Sequence, residues 1–313
     1  MRSRYMSQCR LLLLLVFVVW QTLGQNRTFV IYGVNSPDRN KRLHISALRM
    51  GCDNLPERCV AAGESNSKSQ NVDQICINMI LNGTTTVEYA LQYGRLSLEH
   101  SVLREISFDD FVSQAWHLSR EAPFTDVPAI LRATIRKSKG LNPKLKIGIT
   151  LYEDEIGTAR FSRALPADLR ASLDVVHFYL MYRSDVRDYE GLVGQVKLLF
   201  PNATIVAGAY SYDRIDYVTC RPGGRNCTVS EEIDFFRRLF QIQMRLMTEG
   251  VISAIEFFPG EQWSHWDNAK YCKSDRRQEC LDHTKTMRDI AAAMIEESMR
   301  ETPPEGVSVR PAR

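Results

Sequence analysis

The sequence predicts an α/β fold, a parallel strand–helix barrel of the (β/α)8 type with disulfide-pinned loops, and three observations carry that expectation. Six stretches, 73–83, 104–111, 144–155, 173–185, 203–213 and 251–261, read as buried strands that end in acidic or aromatic polar residues. Most are followed by apolar residues at helical spacing, and repeated strand–helix units imply a parallel sheet. No GxGxxG or GxxxxGK[ST] loop follows any strand, which counts against an open sheet that holds a dinucleotide or a nucleoside triphosphate. The length of 313 residues suits one barrel of ~250 residues with additions at its ends.

The elements follow in order. Residues 1–24 read as a secretory signal peptide: Arg2, Arg4 and Arg10 flank the apolar run 11–20, and Thr22-Leu23-Gly24 offers a cleavage site. That run is short of the ~20 apolar residues a membrane span needs. No later segment reaches that length either, so no stable membrane span is expected after signal removal, and the product is expected to be secreted and extracellular. A single barrel domain over 25–299 and a disordered tail over 300–313 complete the predicted organisation.

Within the domain, 28–35 is β-branched and aromatic and stops at Ser36-Pro37-Asp38, a turn signal. A helical stretch is read at 40–50, then a long loop to 71. A strand at 74–81 leads through Asn82-Gly83 to a helix from Thr86 to about 98. A strand at 103–108 precedes helices at 109–119 and 126–139, and the strand 145–152 precedes a short helix at 166–172. The strand 173–185 is followed by a helix at 188–199 that ends before Pro201, and the strand 203–213 follows it. The segment 231–250 is the most periodic: Ser230 caps it, Glu231 and Glu232 favour its N-terminus, and Gly250 stops it. A strand at 251–261 and a helix at 283–299 close the domain. Seven strand–helix units are visible; an eighth strand is hidden in 36–72 or absent.

Secretion sets the reading of the eight cysteines. Cys9 leaves with the signal. Cys52 with Cys59, Cys220 with Cys227 and Cys272 with Cys280 each flank a polar, turn-rich loop, and local disulfides are the expectation in an oxidising compartment. Closing a loop of about eight residues contributes roughly 2.5 kcal/mol by chain entropy. Cys76, in an apolar run, is read as a small buried hydrophobe. Four sequons, at Asn26, Asn82, Asn202 and Asn226, agree with export and are candidate glycosylation sites.

Strand parity divides barrel-facing from helix-facing side chains. One set is largely small or polar: Gln74, Cys76 and Asn78; Glu105, Ser107 and Asp109; Gly148, Thr150, Tyr152 and Asp154; and Val175, His177, Tyr179, Met181 and Arg183. Barrel interiors ordinarily favour branched apolar residues, so this lining implies a ligand cavity at the carboxyl ends of the strands. Acids gather at those ends: Asp109, Asp110, Glu153, Asp154, Glu155, Glu256 and Glu261. Glycosidic hydrolysis uses a proton donor and a second carboxylate flanking the anomeric carbon. Glu256 stands alone between Ile255 and Phe257, where an unpartnered acid would be costly. An ion pair with an inward Arg183 is the bland reading. Tyr152, Tyr179, Tyr182, Tyr210 and Tyr212, with Trp263 and Trp266, supply flat rings that stack on sugar faces.

On these residues the chain resembles the TIM-barrel glycoside hydrolases, in particular the clan with an acid/base Glu ending strand four and a nucleophile Glu ending strand seven. In the count above, Glu153 ends strand four, and AIEFFPG places Glu256 at the end of strand seven. The resemblance implies Glu153 as proton donor and Glu256 as nucleophile or stabiliser, with Asp109 and Asp110 (SFDDF) as an alternative source of the acid. It departs at Tyr152, which stands where the clan has Asn before its acid. Asn78, Tyr152, Tyr179, Arg183, Tyr210, Tyr212 and Trp263 are then the expected substrate contacts. The partner is a carbohydrate or an extracellular-matrix glycan; no cofactor and no metal are expected, since neither CxxC nor a histidine cluster accompanies the cysteines. A net charge of +3 gives no argument for nucleic acid. Two other classes remain: a non-catalytic matrix glycoprotein or carbohydrate-binding barrel, which the departure at Tyr152 favours, and a metal-dependent hydrolase using Asp109, Asp110 and Glu153, ranked last. There is no GxSxG or HExxH motif, and a lone inward His177 reads as a hydrogen-bonded core residue.

Overall fold

A computed structural model describes residues 27–32, 41–52, 55–122, 125–210, 228–258 and 277–300. Eight parallel strands close into a barrel in sequence order: β1 Thr28–Tyr32, β2 Ala47–Gly51, β3 Gln74–Met79, β4 Leu103–Phe108, β5 Lys146–Tyr152, β6 Val175–Tyr179, β7 Thr204–Tyr210 and β8 Ala254–Phe258. Closure is made by β1 against β8, with Val30 opposite Glu256. The helices are α1 Pro56–Gln70, α2 Gly83–Glu99, α3 Phe111–Glu121, α4 Val127–Leu141, α5 Ala159–Ala164, α6 Ala167–Arg170, α7 Tyr189–Leu199, α8 Val229–Thr248 and α9 Arg277–Arg300. Among the described residues no helix is long and apolar enough to cross a membrane.

Period-two alternation builds two distinct interiors. Ile75, Ile77 and Met79, Ile106 and Phe108, Ile147, Ile149 and Leu151, and Val176 and Phe178 point outward into one continuous core under the helices. A small second cluster, Val30, Ala47, Val175, Val206 and Ala254, fills the N-terminal part of the barrel centre. Above it the centre is polar, as the parity argument requires.

The eighth strand lies where a helix was expected. Of the expected helix 40–50, the described residues 41–50 form a 3-10 turn (Lys41–Leu43) and then β2, in which Leu48 and Met50 join the outer core while Arg49 is wholly buried at the centre. An arginine inside a five-residue strand looks like the polar face of a helix. Its presence also advances the count, so Glu153 follows β5 and Glu256 lies in β8, still three strands apart. The loop expected over 51–71 is largely helix α1, opened by Pro56, polar over its second half, and buried at Cys59 and Val60. The cap of α8 is Thr228 rather than Ser230: Glu231 returns its carboxylate to the Thr228 N–H at 2.9 Å, a capping box. Helix α5 was not foreseen, and α9 starts six residues ahead of 283.

Cys52 and Cys59 form a disulfide that ties the end of β2 to α1, and Cys76 is a free, buried thiol. Cys220, Cys227, Cys272 and the side chain of Cys280 lie outside the described residues, as do the predicted signal, residues 301–313 of the predicted tail, Asn26 and Asn226; Arg300, the first residue of that tail, ends α9. Asn82 and Asn202 are exposed.

Candidate functional site

The carboxyl ends of the strands surround an open cleft of about 770 Å³. Its floor and one side are built on Arg49, the residue that sequence reasoning missed. With no exposed surface, its guanidinium must be fully paired. Nε donates to Asn78 Oδ1 at 2.8 Å, Nη1 to Glu256 Oε1 at 2.7 Å, and Nη2 to Ser107 Oγ at 3.1 Å and Thr150 Oγ1 at 2.5 Å. Four inward residues of four strands thus converge on one cation.

Two arms carry this order up to Asp109. Asn78 Nδ2 donates to Tyr32 Oη at 2.8 Å, and that hydroxyl donates to Asp109 Oδ2 at 3.0 Å. Thr150 Oγ1 donates to Asp109 Oδ1 at 2.8 Å, an oxygen that also lies 3.5 Å from Arg49 Nη2. Both oxygens of Asp109 are therefore oriented, while about a third of its side chain stays open to the cleft. Asp110 receives the Tyr152 hydroxyl at 2.6 Å, and Tyr210 donates to Tyr152 at 3.1 Å.

Glu256 points to the barrel centre and lies wholly buried beneath the cleft. Its partner is Arg49. Tyr179 donates to Oε1 at 2.5 Å, and His177 Nδ1 stands 3.1 Å from Oε2. Burial alone would push this carboxyl up; the nearby charges of Arg49 and His177 and the hydrogen bond from Tyr179 outweigh it and hold it at about 2. Burial and Arg49 pull His177 down, but Glu256 and Glu105 leave it above its usual range. The Tyr179 ring reaches this position across Gly208, where a Cβ would come within 2.3 Å of it.

Glu153, just past β5, is 9 % exposed and turns away from the cleft lining. Its carboxylate accepts the backbone N–H groups of Met181 (2.6 Å) and Tyr182 (3.0 Å), tying the β5 end to the β6 end. Burial raises it to about 7, against those two hydrogen bonds. The acids that do line the cleft are Asp109, Asp110, Asp154 and Glu155. Burial, with Asp154, Asp110 and Glu153 nearby, raises Glu155 to about 8 although it accepts the Tyr152 N–H.

A chain of rings runs beside these acids, with Tyr32 and Tyr152 bonded to Asp109 and Asp110. Tyr32 meets Phe258 at 4.7 Å, Phe258 meets Tyr210 at 5.5 Å, Tyr210 meets Tyr179 at 5.0 Å, and Tyr179 meets Tyr152 at 6.3 Å. Of the expected substrate contacts, Tyr152, Tyr179 and Tyr210 line the cleft, while Asn78 is buried beneath it. Tyr212, Trp263 and the side chain of Arg183 lie outside the described residues. Tyr32 and Phe258 were missed; Tyr32 ends the first strand, the same positional signal that identified the others.

No family model and no curated protein matches this chain. Solved structures do resemble it. The GH53 catalytic domain of Ignisphaera aggregans is 15% identical with a TM-score of 0.49, covering 86% of this chain and 92% of that one. A calcium-binding mutant of Bacteroides uniformis β-glucuronidase 2 is 10% identical with a TM-score of 0.51, covering 82% of this chain and 34% of that one. An α-L-arabinofuranosidase from Thermotoga maritima is 11% identical with a TM-score of 0.47, over 71% and 56%. The chain spans about a third of the β-glucuronidase's length. The likeness to the β-glucuronidase, together with the closed ring of eight parallel strands, shows the fold alone: a TIM barrel.

Proposed function

We propose that this protein is a secreted glycoside-hydrolase-like barrel that takes a segment of an extracellular glycan into the cleft and acts on it by carboxylate acid/base chemistry. The observation that carries the reading is a cleft lined by aromatic rings and four carboxylates side by side. Rings offer flat apolar faces to sugar rings, and carboxylates accept from sugar hydroxyls. Glu155, raised to about 8, holds a proton at neutral pH and is the proton donor. Asp109, oriented at both oxygens, is the second carboxylate, facing the positive charge that develops at the anomeric carbon. Glu256 and Glu153, the pair suggested by the resemblance, act from behind the cleft: Glu256 positions Asp109 through Arg49, and Glu153 fixes the β6 end. Export is supported by the N-terminal pattern and agrees with the Cys52–Cys59 disulfide.

The test is a glycan array followed by product analysis, with wild type and Asp109→Asn. Turnover should fall by at least about 100-fold in the variant with near-ultraviolet circular dichroism unchanged. Unaltered turnover would remove Asp109 from the chemistry. A second reading, a carbohydrate-binding barrel without activity, is favoured by the engagement of Glu153 and Glu256 with protein donors. Retention on the array with no new reducing ends in any eluted glycan would select it.

A further inference from the structure

The opposite end of the barrel carries a second constellation that the cleft does not use. Cys76 on β3, Glu105 on β4 and His177 on β6 bring a thiol, a carboxylate and a ring nitrogen within 4.8 Å of one another. Cys76 and His177 are buried, and Glu105 is nearly so at 12% exposure. Three local features assemble them. The β3–β4 register shifts between Ile75 and Cys76, leaving Arg104 unpaired and setting Glu105 opposite Cys76. Gly148 on the intervening β5 lacks the side chain that would block Glu105, since a Cβ there would lie 2.4 Å from its Oε1. Through that gap Glu105 Oε1 reaches His177 Nε2 at 2.7 Å. A cavity of about 290 Å³, rimmed by the first residues of the strands, opens from the N-terminal mouth onto all three side chains.

We propose that Cys76, Glu105 and His177 form a binding site for a divalent metal ion of the zinc class, reached through the N-terminal mouth and separate from the cleft. Thiolate, imidazole and carboxylate together suit Zn2+ and not Mg2+ or Ca2+, which favour all-oxygen sets. Three protein ligands leave one tetrahedral position for solvent from the mouth. Binding takes the place of the proton shared by Glu105 and His177 and releases the Cys76 thiol proton to solvent; no electron is transferred. The other ring nitrogen of His177 faces a carboxylate, as in metal-binding histidines. Nδ1 stands 3.1 Å from Glu256 Oε2, within reach of a hydrogen bond that the present geometry does not make, and that carboxylate is fixed by Arg49 and Tyr179. Arg104 and Lys146 also line the mouth; as exposed, screened charges they slow the entry of a cation and do not close the path. The expectation of a metal-free protein rested on sequence spacing, and this site draws its ligands from three separate strands.

The experiment titrates the full chain with Co2+ and Zn2+. Wild type should take up one equivalent of Co2+ with a thiolate-to-metal charge-transfer band, displaced by Zn2+. Cys76→Ser should abolish the band, and Glu256→Gln should weaken Zn2+ about 10–100-fold in competition with a chromogenic chelator. Absence of the band in wild type, or its survival in Cys76→Ser, would overturn the proposal. Zinc X-ray absorption on wild type needs no variant: one sulfur among nitrogen and oxygen donors is expected, and a shell with no sulfur or with several would refute it. Neither result bears on the cleft acids, so this site and the proposed activity stand or fall separately.

Discussion

Arg49→Met tests the framework beneath the cleft. The substitution keeps the volume but strands Glu256, which is wholly buried, without its cation. Two arguments give the size of the loss. Removing one partner of a buried ion pair costs about 3–5 kcal/mol. Independently, Glu256 titrates at about 2 in the folded protein against 4.5 for the free side chain. At about 1.4 kcal/mol per pH unit, that difference stabilises the fold by about 3 kcal/mol at neutral pH. Its sign is fixed: the folded value lies below the unfolded one, so the contribution is complete above pH 4.5 and fades as pH falls toward 2. In Arg49→Met the carboxyl keeps its burial and loses its cation, so it rises and the slope reverses. The variant should be about 3–5 kcal/mol less stable at pH 7 and should recover part of that loss toward pH 4–5. Urea unfolding followed by circular dichroism measures both. Arg49→Met/Glu256→Gln, which removes the stranded charge, should regain about 2 kcal/mol over the single variant. A single variant within about 0.5 kcal/mol of wild type, or a double variant no better than the single, would refute the argument.

Other outcomes follow from the same geometry. Gly208→Ala drives a methyl into the Tyr179 ring and should cost about 1–3 kcal/mol while lifting the tyrosine off Glu256; a melting temperature equal to wild type would contradict the close approach. Glu155 binds its proton more tightly folded than unfolded, so it lowers stability progressively as pH rises from about 4.5 to about 8. Glu155→Gln should flatten that decline in melting temperature against pH and should abolish turnover; an unchanged profile would show that the group titrates normally. In wild type, turnover should fall as pH passes about 8, and constant rates to pH 10 would exclude Glu155 as donor. Cys52→Ser opens a loop with a sequence separation of 7 and should lose about 2.5 kcal/mol in chemical denaturation, with no loss contradicting the tie between β2 and α1.

How far the sequence exposed this architecture depends on the element. Strands β3 to β6 set helix-facing Ile, Val, Leu and Phe against a mostly polar inward face, so period two revealed the polar centre on that half of the barrel. The inward assignment of Asn78, Ser107, Thr150, His177 and Tyr179 came from that alternation alone. Strand β2 defeated it: Ala47–Gly51 offers two outward apolar residues around an arginine, too short a run to show a period. Missing β2 also hid the cation around which the site is organised, so Glu256 looked like an unpaired acid and Arg183 was the nearest available partner. Exposure of an acid is a further property that spacing cannot reveal. Glu153 and Glu155 lie two residues apart in one turn, yet only Glu155 lines the cleft. The bulge at Arg104 and the gap at Gly148 are tertiary events, and no linear motif joins Cys76, Glu105 and His177.

The most direct measurement is the fate of a glycan retained by the cleft, followed by mass spectrometry for wild type and Asp109→Asn side by side. Wild type should release fragments with new reducing ends, and the aspartate variant should hold the same glycan intact. Failure of the wild-type cleft to retain any carbohydrate would contradict the account at its root.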